Sequence, residues 1–227
     1  MNIEQARLNM IVQQIRPWEV FDQDVLDLLL VVRREDFVPP AFKPLAFADT
    51  QIPLQFDDKG DEGESMFSPK IEARILQEIA VRKHENVLEI GAGSGYMAAL
   101  LGHRARHVTS VEIDPALQAM AERNLADAGI DNVHVVAGDG AQGWAGSGSE
   151  SAPYDVIVIS GSLPRLPEVF LEQIKVGGRI FAIIGEEPAM TAQVITRVSA
   201  DSYKTTTLFE TCVKPLRNAL TPPHFKF

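Results

Sequence analysis

The sequence predicts an α/β protein with a mostly parallel seven-stranded sheet, a C-terminal antiparallel hairpin and an N-terminal helical cap. From residue 85 onward, short apolar runs alternate with helical segments, which is typical of a parallel sheet with helices on both faces. The last two strand-like runs are separated by a polar turn, so they can pair antiparallel. The first 84 residues contain amphipathic helices instead. We therefore predict one compact unit, in which residues 1–84 cap a domain of residues 85–227.

Each predicted strand is a short run of apolar residues bounded by turn residues. The seven strands cover residues 86–90, 108–113, 133–136, 154–159, 179–184, 194–198 and 205–211. The helices between them cover residues 96–101, 115–128 and 166–174. Asp114 and Pro115 are typical of an N-cap and a first helical turn, and Gly129 of a C-terminal stop. A Gly177-Gly178 turn is expected to end the third helix.

The N-terminal part is predicted to contain two amphipathic helices, over residues 3–15 and 25–34, followed by a loop-rich stretch. The acidic, glycine-bearing residues 57–64 include few apolar side chains, so a mobile loop is expected there. Ser68 and Pro69 then begin a further helix. The apolar face of that helix consists of Ile71, Ile75, Leu76 and Ile79.

Composition is typical of a cytoplasmic globular protein and disfavours two classes of partner. The 227 residues are 45% hydrophobic, and no apolar stretch approaches the roughly 20 residues that cross a bilayer. No signal peptide is expected at the polar N-terminus, and the single cysteine, Cys212, cannot form an internal disulfide. A formal net charge of −10 disfavours nucleic acid as the main partner. The sequence indicates no metal site and does not reveal an oligomeric state.

The strongest chemical signal is a glycine-rich turn between the first strand and the next helix. Three glycines alternate with other residues in Glu89-Ile90-Gly91-Ala92-Gly93-Ser94-Gly95-Tyr96. Glycines let the backbone turn sharply and let a ligand approach it closely, and the following helix N-terminus presents free N–H groups. The dinucleotide fingerprint is G-x-G-x-x-G. Here the third glycine comes one residue early, so the spacing favours a different ligand.

Two acidic residues follow the next two strands, where a nucleoside could meet them. Glu112 ends the second strand, with Ile113 beside it, and a carboxylate there can accept both hydroxyls of a ribose. Asp139 lies between Gly138 and Gly140 just after the third strand. That triplet is also typical of a plain Asp-Gly turn.

The E-x-G-x-G-x-G form resembles the first motif of the S-adenosylmethionine-dependent methyltransferases, which have the Rossmann-like class I methyltransferase fold. In that class an acid at the position of Asp139 meets the adenine amino group. The resemblance therefore implies S-adenosyl-L-methionine as the cofactor, bound by the domain of residues 85–227. The candidate cofactor-binding residues are Glu89, Gly91, Ala92, Gly93, Gly95, Tyr96, Glu112, Ile113, Gly138, Asp139, Gly140 and Ser160.

Further segments resemble one family of that class, the protein-L-isoaspartate O-methyltransferases. Residues 9–17, 33–39, 171–179 and 213–216 are similar to its signatures, so the resemblance covers nearly the whole chain. That family methylates the α-carboxylate of an isoaspartyl residue in aged proteins. The ester then cyclises to a succinimide, which can reopen to normal aspartate. The resemblance implies protein repair, with isoaspartyl-containing proteins or peptides as substrates.

The chain departs from that family at the helix beneath the substrate. The family carries T-I-S-Q-P there, and its serine contacts the reacting carboxylate, whereas this chain has Ser65-Met66-Phe67-Ser68-Pro69. Anchored on the proline, Phe67 falls at the serine position. Ser65 and Ser68 are the candidate catalytic residues, and Ser68 before Pro69 is also typical of a helix N-cap. The acidic residues 57–64 replace a glycine-rich substrate loop and would repel a carboxylate.

Three functions are left open by the sequence. The first is isoaspartyl carboxyl methylation, the second is methylation of another substrate on the same fold, and the third is cofactor binding without catalysis. A nucleic-acid amino-methyltransferase is disfavoured, because Ser160-Gly161-Ser162-Leu163 lies where such enzymes carry an Asp/Asn-Pro-Pro-aromatic motif. No His/Asp dyad is needed for the first function, because a carboxylate acceptor is already ionised at neutral pH.

Overall fold

A seven-stranded sheet forms the centre of the protein. The computed structural model describes residues 2–56, 63–148 and 151–220. The strands of the sheet are β3 (Asn86–Ile90), β4 (His107–Glu112), β5 (Val133–Ala137), β6 (Tyr154–Leu163), β7 (Ile174–Glu186), β8 (Ala189–Ser199) and β9 (Ser202–Thr211). Their order across the sheet is β5-β4-β3-β6-β7-β8-β9. A separate ladder pairs β1 (Ile52–Pro53) with β2 (Ser65–Met66).

The pairing of these strands confirms the predicted Rossmann-like sheet. Strands β3 to β7 run parallel to one another. Strand β8 is antiparallel to β7, and β9 is antiparallel to β8. The C-terminal hairpin therefore adds two strands to one edge of a parallel sheet, as the polar turn between them predicts.

Seven α-helices lie within the described residues. They are α1 (Ile3–Met10), α2 (Gln23–Val31), α3 (Arg34–Phe37), α4 (Pro69–Ile79), α5 (Tyr96–Arg104), α6 (Pro115–Asp127) and α7 (Glu168–Glu172). Asp114 caps α6 as predicted, because its side chain accepts hydrogen bonds from the N–H groups of Ala116 and Leu117. None of the helices in these parts of the chain is long and apolar enough to cross a membrane.

The strands bury side chains on both faces of the sheet, because successive residues of a strand point to opposite sides. One apolar cluster contains Val87, Val156, Val158, Phe181 and Ile183. The opposite cluster contains Leu88, Ile157, Ile159, Ile180 and Ala182. Both faces are covered, and this is the usual arrangement for a parallel sheet.

The N-terminal helices pack on the first of these two faces. Met10, Leu29 and Phe37 belong to the same apolar cluster as Val87 and Val156 of the sheet. The predicted division into a cap of residues 1–84 and a domain of residues 85–227 stays a prediction.

Two predicted boundaries near α7 are wrong. The helix expected over residues 166–174 is limited to α7, between Pro167 and Gln173. The Gly177-Gly178 pair does not separate this helix from the next strand, because β7 already begins at Ile174. Ile174 pairs with Tyr154 and Arg179 with Val156, so residues 175–178 form a bulge within β7. Gly177 adopts a φ of 82° there.

The β1–β2 ladder was not predicted, because each strand has only two residues. Two backbone hydrogen bonds extend the ladder. Leu54 N donates to Glu64 O (2.7 Å), and Gly63 N donates to Gln55 O (2.8 Å). The ladder fixes the base of the acidic segment predicted to be mobile. Residues 57–62 of that segment lie outside the described residues.

Candidate active site

A cleft opens at the carboxyl ends of the central parallel strands, and it encloses about 920 Å³ when the open solvent at its mouth is included. Open α/β sheets bind ligands at this edge. The walls come from the glycine turn after β3, the loops after β4 and β5, Ser160 in β6, the β1–β2 segment, and residues 213–217.

The glycine turn forms the floor of the cleft at Gly91, Ala92 and Gly93. Gly91 and Gly93 have φ angles of 93° and 53°, in the left-handed region that favours glycine. A Cβ at Gly91 would lie 3.1 Å from the carbonyl oxygen of Ser160, and one at Gly93 would lie 3.0 Å from Leu54 Cδ1. The turn therefore presents bare backbone to a ligand.

The third glycine of the motif has a different role. Gly95 is not among the residues that line the cleft. A Cβ at Gly95 would lie 3.2 Å from the Cα of Ala121 in α6. Gly95 therefore permits close packing of α6 against the start of α5. The sequence predicted instead that Gly95 contacts the cofactor.

Glu112 lines the cleft with an oriented carboxylate. Its Oε2 accepts a hydrogen bond from Gly93 N (2.9 Å), and its Oε1 accepts one from Asp114 N (2.9 Å). Each carboxylate oxygen has a second lone pair, so both can still accept from a ligand. Ile113 also lines the cleft, and its side chain is exposed.

Asp139 lies on the loop after β5, and both of its oxygens are held. Oδ1 accepts from Ala141 N (3.0 Å), and Oδ2 accepts from the Asn218 side-chain amide (2.9 Å). The flanking glycines are required by packing, since a Cβ at Gly138 would lie 2.4 Å from Trp144 and one at Gly140 would lie 2.6 Å from Ile90. All three residues of this loop line the cleft.

Glu89 lies fully buried at the end of β3, in the wall of the cleft. Ser110 Oγ donates to its Oε2 (2.6 Å), and Ser160 Oγ donates to its Oε1 (2.9 Å). Burial raises the pKa of the Glu89 carboxyl to about 8, although both serine hydrogen bonds favour its charged form. A cation placed beside Glu89 would ionise it.

Tyr96 begins α5 and is buried, with its ring 5.3 Å from that of Phe37 and 5.7 Å from the Arg34 guanidinium carbon. Burial raises the pKa of its hydroxyl above the ordinary value. Within the described parts of the chain, the Tyr96 hydroxyl has no hydrogen-bond partner. Tyr96 lines the cleft, and its ring contacts Phe37 and Arg34 of α3.

The two candidate serines lie in different places. Ser65 belongs to β2. Ser65 and Phe67 both line the cleft. Ser68 is buried outside the lining. It occupies the N-cap position of α4 as predicted, with Pro69 at the start of the helix, but its side chain makes no capping hydrogen bond. Ser68 is therefore poorly placed to contact a substrate.

A buried ion pair that the sequence did not predict supports the wall at Phe67. Arg34 donates to Glu72 Oε2 (3.0 Å), to the carbonyl of Ala46 (3.1 Å) and to the carbonyl of Phe67. Burial raises the pKa of the Glu72 carboxyl to about 7, against the opposing effect of Arg34. An acidic residue on the inward face of the amphipathic helix α4 is the signal that could have revealed this pair.

Arg217 and Asn218 were also missed. Arg217 lines the cleft and donates to Glu64 Oε1 (2.7 Å) and to Asp114 Oδ2 (3.1 Å). Both residues follow directly on the V-x-P-L resemblance of residues 213–216. That resemblance pointed to the segment without indicating either side chain.

Comparison with known proteins gives one consistent result. A family model described as protein-L-isoaspartate (D-aspartate) O-methyltransferase matches residues 6–219. The chain is 38% identical over 179 residues to the protein-L-isoaspartate O-methyltransferase of Methanoculleus marisnigri, covering 79% of this chain and 77% of that protein. It is 36% identical over 211 residues to the Rhodopseudomonas palustris protein of the same name, covering 92% of each.

Solved structures agree with these relatives. A protein-L-isoaspartate O-methyltransferase structure superposes with a TM-score of 0.74 and 26% identity over 92% of this chain, which spans 65% of that structure's chain. A Plasmodium falciparum protein solved with S-adenosyl-L-homocysteine gives a TM-score of 0.75 over 96% of this chain and 99% of its own. At 19% identity, the second comparison supports the fold alone.

Proposed function

The chain belongs to the protein-L-isoaspartate (D-aspartate) O-methyltransferase family, and from this premise we propose which residues carry out its reaction. It is an S-adenosylmethionine-dependent methyltransferase. The acceptor that we propose is the α-carboxylate of an isoaspartyl residue in a protein or peptide. One observation carries the proposal: a single cleft is lined both by the glycine turn with its two acidic partners and by Ser65 and Phe67.

The residues of the cleft fit the cofactor. We assign the ribose hydroxyls to Glu112, the adenine amino group to Asp139, and the amino-acid end to the backbone of Gly91 and Gly93. These assignments are supported by the bare glycine backbone and by the free lone pairs on both carboxylates. Glu89 lies nearby with a pKa that a bound cation would lower. When bound, the cofactor supplies a methyl group that the positive sulfur has already activated.

The protein's contribution to the reaction is mainly geometric. An isoaspartyl carboxylate is ionised at neutral pH, so no general base is required. The chain has to hold one carboxylate oxygen in line with the methyl group, donate a hydrogen bond to the other oxygen, and exclude water. We assign the donor role to the Ser65 hydroxyl, because Ser65 is the candidate serine that lines the cleft. Arg217 and Glu64 both line the cleft, and a hydrogen bond joins them.

Phe67 sets the expected rate. It lies at the family's serine position, lines the cleft, and offers no side-chain donor. The carboxylate can accept more hydrogen bonds than the one assigned to Ser65, and the loss of a further donor at the Phe67 position costs about 1–3 kcal/mol, or roughly 5- to 150-fold in rate. We therefore expect methylation of isoaspartyl peptides to be slower than in a family member that retains the serine. The cytoplasm is the proposed compartment, and aged proteins are the proposed partners.

Steady-state kinetics on an isoaspartyl peptide, with the matched aspartyl peptide as control, tests the proposal. The wild type should methylate only the isoaspartyl form. Phe67→Ser should raise kcat/KM by about tenfold or more, Ser65→Ala should lower it, and Ser68→Ala should leave it unchanged. Thermal melting identifies any loss due to unfolding, because Phe67 also packs in the core.

Each outcome has a distinct meaning. Tight cofactor binding without methylation of the isoaspartyl peptide, in all of the variants, would place the substrate outside the repair reaction. It would favour another acceptor that suits the apolar Phe67. A loss of activity in Ser68→Ala alone would contradict the assignment of the donor role to Ser65.

A further inference from the structure

Residues 213–218 follow β9, and residues 213–217 line the cleft beside the end of β6. Ser162 donates from its backbone N–H to Lys214 O (3.1 Å) and from its hydroxyl to Val213 O (2.9 Å). Leu216 N in turn donates to Ser162 O (2.9 Å). These three hydrogen bonds fix the path of the segment beside the glycine turn.

Leu216 places its side chain against the backbone of the turn. A Cβ at Gly161 would lie 2.6 Å from Leu216 Cδ2, and one at Gly91 would lie 3.5 Å from the same atom. Leu216 therefore occupies the space that the missing side chains leave. It also brings the next two residues over the loops that follow β4 and β5.

Arg217 and Asn218 each hold one acidic residue of those loops. Arg217 Nη1 donates to Asp114 Oδ2 (3.1 Å), where Gln55 Nε2 also donates (3.1 Å). Asn218 Nδ2 donates to Asp139 Oδ2 (2.9 Å). Asn218 has a φ of 60°, a left-handed conformation that asparagine tolerates better than most residues.

The contact at Asp139 bears directly on recognition. Ala141 N holds one carboxylate oxygen and Asn218 holds the other. Asp139 itself is exposed, so without Asn218 the Ala141 N–H would be the one remaining hydrogen bond that orients its side chain in the described structure. With both donors in place, the carboxylate points in one direction, and each oxygen has a lone pair left for a donor on a ligand.

We propose that Asn218 is a positioning residue for cofactor recognition, which orients Asp139 toward the amino group of the adenine ring. The inference rests on the proposed assignment of Asp139 to adenine. It extends the cofactor site to the C-terminal segment of the chain. An oriented carboxylate accepts a hydrogen bond from an amino group and is repelled by a carbonyl at the same place. Asn218 should therefore sharpen discrimination between adenine and hypoxanthine.

Calorimetry with S-adenosyl-L-homocysteine and with S-inosyl-L-homocysteine tests the inference. Asn218→Gly keeps the left-handed backbone and removes the amide. It should weaken S-adenosyl-L-homocysteine binding roughly 3- to 10-fold, the effect of one lost hydrogen bond. The dissociation constant of S-inosyl-L-homocysteine should rise less. The ratio of the inosyl to the adenosyl dissociation constant should therefore be smaller in Asn218→Gly than in the wild type. In an Asp139→Ala background, the same change should have no further effect.

The matched control is Asn9→Ala, which removes an exposed asparagine of α1 whose side chain contacts Gln5 and should change neither constant. Unchanged binding of S-adenosyl-L-homocysteine in Asn218→Gly would overturn the role proposed for Asn218 and would leave the proposed cofactor assignments standing. Tighter binding would also overturn it, because Asn218 would then be occupying the place of the adenine amino group. If the wild type fails to bind S-adenosyl-L-homocysteine, the proposed cofactor assignments fail, and this inference fails with them.

Discussion

At the scale of single residues, three carboxylates in one cleft differ in their surroundings. Glu112 and Asp139 accept hydrogen bonds that fix their orientation. Glu89 is fully buried and held by two serine hydroxyls. Burial disfavours the charged form of Glu89. Glu112 and Asp139 each have lone pairs left that can accept hydrogen bonds from neutral groups of a ligand. The sequence motif does not distinguish these roles, because all three are simply acids near glycines.

Glu112→Ala is expected to weaken S-adenosyl-L-homocysteine binding by about 1.5–3 kcal/mol, because a charged acceptor for the ribose hydroxyls is lost. Calorimetry with the 2′-deoxy form of the ligand separates this loss from damage to the glycine turn, which Glu112 also supports through Gly93 N. The deoxy form should bind the wild type more weakly than the parent ligand does. On Glu112→Ala the two ligands should bind more nearly alike, and an equal preference in both proteins would contradict the ribose assignment.

Glu89→Gln is expected to flatten the pH dependence of stability. Burial raises the folded-state pKa of Glu89 from 4.5 to about 8. Between about pH 5 and 8 the folded protein therefore holds a proton that the unfolded chain has released. The stability contribution of Glu89 is complete below pH 4.5 and is lost as the pH rises through that window.

Urea denaturation of wild type and Glu89→Gln at pH 5, 6.5 and 8.5 measures the effect. Each unit of pKa displacement corresponds to about 1.4 kcal/mol. The variant should therefore gain on the order of 2–4 kcal/mol relative to wild type between the lowest and highest pH. Other titrating groups are common to both proteins, so parallel stability curves would contradict the buried, proton-retaining state of Glu89.

At the scale of secondary-structure elements, the buried Arg34–Glu72 pair connects α3 to α4 and to the segment that leads from β2. Arg34 has no exposed surface, and its guanidinium satisfies two backbone carbonyls as well as the carboxylate. A buried pair of this kind adds little net stability, but removal of one partner leaves uncompensated polar groups. The pair therefore fixes the position of Phe67 relative to the glycine turn.

Arg34→Met is expected to destabilise the protein by about 3–5 kcal/mol. Urea denaturation should show a larger loss at pH 8 than at pH 5.5, because an unpaired Glu72 is tolerated best in its protonated form. The double variant Arg34→Met, Glu72→Leu should recover part of the loss, since the second change removes the buried carboxyl. A double variant no more stable than Arg34→Met would show that the two carbonyls, rather than Glu72, carry the cost.

At the scale of the whole molecule, the sheet could be predicted because its signals are local. The apolar run of β3 ends at the glycine turn, and Asp114 and Pro115 begin α6 as their residue types indicate. The bulge at residues 175–178 was missed because two adjacent glycines are typical of a turn. Only pairing with β6, which is non-local, keeps them inside β7.

The candidate site also contains residues that the sequence could predict and residues that it could not. The cleft-lining positions of Gly91, Glu112 and Asp139 follow from motif spacing along one stretch of chain. Gly95 was assigned to the ligand because spacing cannot show that α6 packs against it. Arg34 and Asn218 reach the site through contacts between distant segments, which the sequence does not show. Glu72 differs from them, because it stands out as an acidic residue on the inward face of α4.

The closing contacts across the cleft also give the protein an order of assembly during synthesis. Arg217 and Glu64 are 153 positions apart, and Asn218 and Asp139 are 79 apart. A ribosome that translates this chain therefore releases the glycine turn, with β3, β4 and their helices, long before residue 218 leaves the exit tunnel. The nascent chain can build much of its sheet while the cleft still lacks one side. On the proposed role of Asn218, we expect firm retention of the nucleoside only after residue 218 has left the exit tunnel, so the cofactor should stabilise chains that include this residue over shorter ones.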